Sequence, residues 1–147
     1  MGRRGLLGPA VASLALLSAG CGSDDGPALT FDGTDEEQIA ATVNTMTAAI
    51  AAGEGAVACE LMTERGQRIM LRVGRQAGGA DVADCAAAVP VAEAAGYDPG
   101  DFRITVGDVS IPADSPDHAE ATCDLDGAFL LDRTDAGWRV AAPFCNH

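Results

Sequence analysis

The chain contains no lysine, and it is poor in histidine and aromatic residues. Its nine basic residues are all arginine, it has two histidines, and 4% of its residues are aromatic. Against these stand 22 carboxylates, which give a net charge of −13. So acidic a surface lacks the basic patch that phosphate contacts need, which excludes nucleic acid as a partner. The apolar segment Gly5–Leu17 is too short to cross a bilayer as a helix.

Motifs for catalysis, cofactors and metals are missing as well. No serine stands in a nucleophile motif, and no glycine-rich phosphate loop follows a predicted strand. The cysteines lack the CxxC spacing of a zinc site. Most carboxylates cluster in turns, where aspartate has a local structural role. The sequence therefore predicts no cofactor, no metal and no catalytic residue.

The N-terminal segment has the features of an export signal. A short basic start, Met1–Arg4, precedes the apolar segment, and Ser18–Gly20 then supply small side chains before Cys21. This ending resembles the lipobox of bacterial lipoproteins, with Ser18 where leucine is usual. The resemblance implies that residues 1–20 are a signal peptide and that Cys21 carries a lipid. An ordinary secretory signal is the alternative, and Arg3-Arg4 leaves both Sec and twin-arginine export open.

A lipid on Cys21 implies an exported protein anchored to the outer face of the cell membrane. Cleavage removes two of the nine arginines, so seven arginines face 22 carboxylates. Net repulsion from an anionic membrane then leaves the anchoring to the lipid. Residues 21–33 are polar and rich in turn formers, which predicts a flexible tether. Residues 34–147 have the length of one domain.

Four cysteines remain in this domain: Cys59, Cys85, Cys123 and Cys145. Export exposes them to oxidising conditions, so an even number predicts two disulfides, with three pairings possible. We favour Cys59–Cys85, because both residues lie on successive helices rich in small residues, and Cys123–Cys145. The second pair lies across one intervening strand, nearly 10 Å apart, so the chain after Pro143 would have to curl over that strand.

Helical periodicity covers the first half of the domain. Thr34 and Glu37 form a predicted capping box for a helix that ends near Gly53. A second helical region, 55–76, is predicted to break near Thr63. The third helix is predicted over Val82–Val89, with Asp81 as its cap and Pro90 preventing a regular continuation, although Val91–Ala95 can add a turn before Gly96.

Four arginines of the second helical region recur at spacings of 3, 4 and 3, which places them on one helix face. They are Arg65, Arg68, Arg72 and Arg75. This stripe either faces an anion, such as a phosphate headgroup or an acidic partner, or is a solvated face balanced by nearby carboxylates. We favour the solvated face.

Beyond residue 101 the apolar pattern changes to period 2, which predicts an antiparallel meander of four strands. Phe102, Ile104 and Val106 alternate in the first strand, and a phase slip at Gly107 predicts a β-bulge. The second strand is predicted over 118–125, and Asp126-Gly127 predicts a hairpin turn before the third. The last strand begins at Trp138.

Helices followed by a bent antiparallel sheet define an α+β fold in the order of the NTF2-like, or cystatin-like, cone. The segments 51–62 and 137–145 look like parts of exported actinobacterial lipoproteins of that superfamily. The resemblance implies a domain with one conical pocket. It also makes a homodimer through the sheet an expectation. The superfamily hosts both enzymes and binding domains, so the fold does not select an activity.

Phe102, Phe129 and Trp138 are the large side chains expected to fill or line the cone. A packed core is the first interpretation, and a pocket for a small apolar ligand is the second. We therefore predict a lipid-anchored binding domain that holds such a ligand or docks an envelope protein. The alternative is a SnoaL-like or ketosteroid-isomerase-like enzyme, which needs a carboxylate or histidine inside the cone.

Overall fold

The computed structural model describes residues 28–97, 103–124 and 127–146, with the side chains of Asp124 and Asn146 excepted. The predicted signal peptide, the lipidation site Cys21 and the candidate pocket residue Phe102 lie outside the described residues. Within them, α1 (Asp35–Ala51), α2 (Gly55–Glu60), α3 (Glu64–Gly78) and α4 (Cys85–Ala94) precede the sheet. Its strands are β1 (Val109–Ser110), β2 (His118–Asp124), β3 (Gly127–Thr134) and β4 (Gly137–Asn146). The fold is α+β, as the sequence predicts.

Local signals set the first three helices. The capping box is present: the Glu37 amide donates to the Thr34 hydroxyl at 3.3 Å, and the Thr34 amide donates to the Glu37 carboxylate at 2.8 Å. Gly53 ends the first helical segment with a φ of +70°, a conformation that glycine adopts at little cost. Thr63 separates α2 from α3 and caps α3 through the Gly66 amide. The predicted break at Thr63 is confirmed.

The predicted third helix is wrong at both ends. Asp84, not Asp81, is the cap, since its carboxylate accepts from the Ala87 amide at 2.9 Å. The helix then continues through Pro90 to Ala94. Proline cannot donate to the carbonyl of Ala86, four residues earlier. That carbonyl instead lies against Gly55, where a side chain would collide with it.

The first strand is also shorter than predicted. Residues 106–108 form a 3₁₀ turn where the β-bulge was expected, and Val106 is 49% exposed. The Asp108 carboxylate accepts from both the amide and the hydroxyl of Thr105, at 2.7 Å each, which closes the turn. Before it, Asn44 of α1 binds both backbone groups of Ile104, at 2.8 and 2.9 Å. A side-chain amide thus takes the place that a neighbouring strand would fill.

The four strands form one antiparallel sheet in the order β1-β2-β3-β4, the predicted meander. Bulges distort its far end. Between the pairs Leu130/Ala142 and Ala128/Asn146, β3 has one residue where β4 has three. In β2 the register shifts between Thr122 and Asp124, at Cys123.

Both predicted disulfides are present. Cys59–Cys85 joins α2 to α4, with Cα atoms 6.1 Å apart. Cys123–Cys145 joins β2 to β4, with Cα atoms 6.2 Å apart. Its two cysteines stand in the two bulges, which carry the chain over β3 and close a distance that regular strands would leave open.

The core lies between α1 and the inner face of the sheet. Its largest fully buried side chains are those of Trp138, Phe129, Ile39, Met46, Ile50 and Leu61. Along β2 and β3 buried positions alternate with exposed or half-buried ones, which is the period-2 pattern of a one-sided sheet, whereas residues 138–143 of β4 are all buried. Among the described residues, no helix is both long enough and apolar enough to span a membrane.

Candidate functional site

Two of the aromatic residues expected in the cone lie in the packed core. Phe129 is 0% exposed and Trp138 is 1% exposed, and both belong to the cluster that contains Ile39, Met46 and Leu131. Burial this complete leaves these rings almost no accessible surface for a ligand to contact. The third aromatic candidate, Phe102, lies outside the described residues.

The buried polar side chains of the described residues are few: Thr42, Thr47 and Arg139. The two threonine hydroxyls donate to carbonyls of their own helix, at 2.8 Å to Gln38 and 3.1 Å to Asn44. Threonine and arginine do not act as general bases at neutral pH, so this part of the interior provides no proton acceptor. Among the described residues no group of three histidine, cysteine or carboxylate side chains is placed to hold a metal ion.

Arg139 attaches the segment before α1 to the edge of the sheet. Its guanidinium donates to the Trp138 carbonyl at 2.9 Å and to the Leu29 carbonyl at 2.7 Å. The Leu29 amide in turn donates to the Glu60 carboxylate at 2.6 Å. Burial lowers the pKa of Arg139, and the Glu60 charge opposes that shift. The sequence gives no sign of this contact, because it joins residues 110 positions apart.

These contacts also protect the free edge of β4. The Val140 amide and carbonyl pair with backbone groups of Leu61 and Thr63, at 2.9 and 3.0 Å. At Trp138 the carbonyl is taken by the Arg139 side chain. An unpaired strand edge invites association with another chain, so this cover removes a site of strand addition.

A cleft of about 170 Å³ opens beside Arg139, lined by Gln38 and Thr42 of α1 and by the segments 30–31 and 135–139. Sites for drug-sized ligands measure roughly 300–1,000 Å³, so the cleft admits a few waters or a small fragment. Both terminal guanidinium nitrogens of Arg139 already donate to carbonyls. We interpret the arginine as a structural tie.

Asp35, the first residue of α1, binds β3 and β4. Its carboxylate forms an ion pair with Arg133 and accepts from the Trp138 indole nitrogen at 3.1 Å. The Arg133 guanidinium also lies 4.5 Å from the centre of the Trp138 ring, a cation–π distance. The hydrogen bond from Arg133 lowers the pKa of Asp35, and the bond from Trp138 adds to the effect. The arrangement holds the start of the helix on the sheet.

His118 lies at the start of β2 and faces outward. Its Nδ1 lies 2.7 Å from a carboxylate oxygen of Asp132, the residue opposite on β3. The histidine side chain is 67% exposed. An exposed cross-strand pair of this kind contributes little to stability, and it lies away from any cavity described above.

The four stripe arginines all lie exposed on α3, as the spacing predicts. The opposite face of the helix is packed through Gly66, Met70 and Gly74. A Cβ at Gly74 would lie 2.5 Å from that of Ala88, and one at Gly66 would lie 2.4 Å from the Val140 carbonyl oxygen. The helix therefore lies close against α4 and β4 and turns all four arginines outward.

An open groove of about 330 Å³ runs beside Arg68, between α3 and the start of α4. Leu71 and Cys85 contribute apolar surface to it, whereas Glu64 and Asp84 contribute carboxylates. The mixture of charges favours no single class of small ligand.

Comparison of the chain with protein-family models, with curated proteins and with solved structures finds no significant match in any of the three.

Proposed function

We propose that this chain is a lipid-anchored, extracytoplasmic domain of the NTF2-like superfamily that acts by docking an envelope protein, without catalysis. The lipobox ending at Cys21 supports the anchor. The order of helices and antiparallel strands is compatible with an NTF2-like domain. Two disulfides in a chain of 147 residues suit an oxidising compartment outside the cytoplasm.

The observation that carries the choice of a docking role is the burial of Phe129 and Trp138. In an apolar-ligand carrier these rings would line a cavity, but here they fill the space between α1 and the sheet. An isomerase of this fold needs an ionisable group facing the substrate. The buried polar side chains described above include no carboxylate and no histidine.

A native mass spectrum of the chain from Gly22 onward, exported into an oxidising compartment without a tag, tests this proposal. The expected species is the bare chain, four hydrogens lighter than its reduced form. A co-purified small molecule bound at one copy per chain would contradict the docking role and establish a carrier. If the variant Trp138→Ala folded but no longer carried that small molecule, the molecule would be assigned to the cone.

A further inference from the structure

We infer that the arginine face of α3, formed by Arg65, Arg68, Arg72 and Arg75, is the side of the anchored domain that contacts the anionic phospholipid headgroups of its own membrane. The inference rests on the proposed lipid at Cys21. It adds an orientation, since it states which surface faces the bilayer and which surfaces face away from it.

The charge of the mature chain is unevenly distributed. Four of its seven arginines lie on this one face, whereas α3 holds a single carboxylate, Glu64, among its 15 residues. Two of the other arginines are engaged elsewhere, Arg133 with Asp35 and Arg139 with Leu29. The remaining 21 carboxylates lie outside α3. Among the described residues, α3 therefore carries an arginine-rich face on a mainly acidic surface, with Glu64 and Asp84 beside Arg68.

The arginine side chains are available for such a contact. Arg65 and Arg72 are exposed and form no ion pair or hydrogen bond with another described residue. Arg68 pairs with Glu64 at 3.5 Å, but both side chains are largely exposed, so headgroups compete easily for it. The Nε of Arg75 donates to the Val82 carbonyl at 3.0 Å, which leaves its two terminal nitrogens available for headgroups.

The attachment of the tether places this face near the lipid. Leu29 is fixed to Glu60 and Arg139. Glu60 ends α2 only four residues before α3 begins. Leu29 lies eight positions after Cys21, a distance of at most about 29 Å when the chain is fully extended. The described part of the chain thus begins beside the N-terminal end of the arginine face.

Net charge decides what kind of effect to expect. A free domain with this excess of carboxylates is repelled by an anionic surface. A lipid anchor keeps it within about 29 Å of the surface regardless, so the domain repeatedly enters a field that decays over about 10 Å at 0.1 M salt. Repulsion then turns the acidic surfaces outward, and the arginine face remains toward the headgroups. The contact orients the domain and does not recruit it.

The absence of lysine provides a clean test, because dicarbonyl reagents such as phenylglyoxal then modify essentially arginine alone. The full chain, processed and lipidated by a bacterial host, is reconstituted in vesicles of phosphatidylcholine, with or without phosphatidylglycerol. Mass spectrometry of peptides gives the labelling rate at each arginine. Exposed Arg103, which lies outside α3, is the internal control.

We expect Arg65 and Arg72 to be labelled about fivefold more slowly on the anionic vesicles than on the neutral ones, the factor that one arginine near an anionic surface typically contributes. Arg103 should react equally on both, and 0.5 M salt should abolish the difference. If the protein inserts in both kinds of vesicle and the stripe is labelled equally on them, the orientation is overturned and the proposed lipid anchor still holds. If the protein inserts in neither kind, the anchor and the orientation are both overturned.

Two further arms separate the membrane from other anions. Protection of the stripe by inorganic phosphate in solution, without vesicles, would overturn the inference in favour of a small anion. Protection that rises with protein concentration in solution would overturn it in favour of a second copy. The double variant Arg65→Gln/Arg72→Gln should lose the protection of Arg68, whereas Arg103→Gln should keep it. An unchanged protection of Arg68 in the double variant contradicts a shared contact face.

Discussion

The helices are fixed to their neighbours in two different ways. The helix α4 packs on α2 and α3 where side chains are missing: a Cβ at Gly55 would lie 2.0 Å from the Ala86 carbonyl oxygen, and the Cys59–Cys85 disulfide joins the same elements. The helix α1 is instead held by polar side chains, through Asp35 to Arg133 of the sheet and through Asn44 to Ile104, which precedes the sheet. The first kind of contact is sensitive to an added atom, and the second is sensitive to the loss of a partner.

The largest loss should follow removal of the disulfide in the close-packed region. Cys59→Ala/Cys85→Ala opens a loop of 26 residues and should lower the free energy of unfolding by about 3 kcal/mol. Cys123→Ala/Cys145→Ala is the matched variant in the sheet, and its loop of 22 residues should give a nearly equal loss. Urea unfolding measures both. A loss under about 1 kcal/mol for the helical pair would mean that the close packing holds without the bond.

A single methyl group tests the close contact itself. Gly55→Ala should cost about 2 kcal/mol, because the new Cβ overlaps a carbonyl that cannot move without shifting α4. Gly107→Ala is the control, since the nearest atom to its Cβ lies 3.7 Å away. The control should be neutral or slightly stabilising in the same urea titration. Equal stability of the two variants would show that α4 adjusts freely.

In the polar contact, truncation should act through the partner left behind. Asn44→Ala removes the donor and the acceptor that bind the Ile104 backbone, and should cost about 1–2 kcal/mol. In the Asn44→Ala variant, hydrogen exchange at the Ile104 amide should be faster than at the amides of β3. Asn44→Gln is the control, because it keeps the amide group but places it one methylene further from the backbone. Its loss of stability should be nearly as large. Full stability of Asn44→Ala would show that the backbone groups find other partners.

The smallest effect should be a pH dependence from Asp35. The hydrogen bond from Arg133 holds the folded pKa of Asp35 below its ordinary value of 3.8, so its contribution to stability is present above that ordinary value and is lost as pH falls through the folded pKa. The carboxylate is partly exposed, so Asp35→Asn should cost only about 0.5 kcal/mol at pH 7. The difference in stability between the two proteins should shrink as the pH falls through the folded pKa of Asp35. A constant difference between pH 7 and pH 2 would assign the effect to packing.

The same titration has an optical readout. Trp138 is the one tryptophan of the chain, and its indole nitrogen donates to Asp35. Its fluorescence should therefore change as Asp35 takes up a proton. Asp35→Asn should remove that transition, whereas Asp132→Asn, at the exposed histidine pair, should retain it. A transition that survives in Asp35→Asn would belong to another group.

The features that the sequence predicts are those set by neighbouring residues. The Thr34 capping box, the break at Thr63 and the meander depend on contacts within a few positions. The start of α4 does not. Asp81 and Asp84 are both suitable caps, but Arg75 binds the Val82 carbonyl and Cys85 must reach Cys59, so the later start is favoured.

Longer-range contacts explain the other differences. The alternation of Ile104 and Val106 predicts a strand, but hydrogen bonds between Thr105 and Asp108 close a turn there. The hydrogen bond from Arg139 to the Leu29 carbonyl joins two segments that lie far apart in the chain. The sequence did identify the α3 stripe, because helical spacing alone places its arginines together. Its position beside the tether needed the Leu29–Glu60 contact.

The most direct test of the account is the intact mass of the protein recovered from the membrane fraction of a host that processes lipoproteins, with Cys21→Ser beside it. The account predicts a chain that begins at Cys21, carries the added mass of a lipid, and is four hydrogens lighter than its reduced form. Cys21→Ser should be exported without lipid and released from the membrane. A native chain of unmodified mass that fractionates together with Cys21→Ser would contradict the lipid anchor, and with it the orientation inferred for α3.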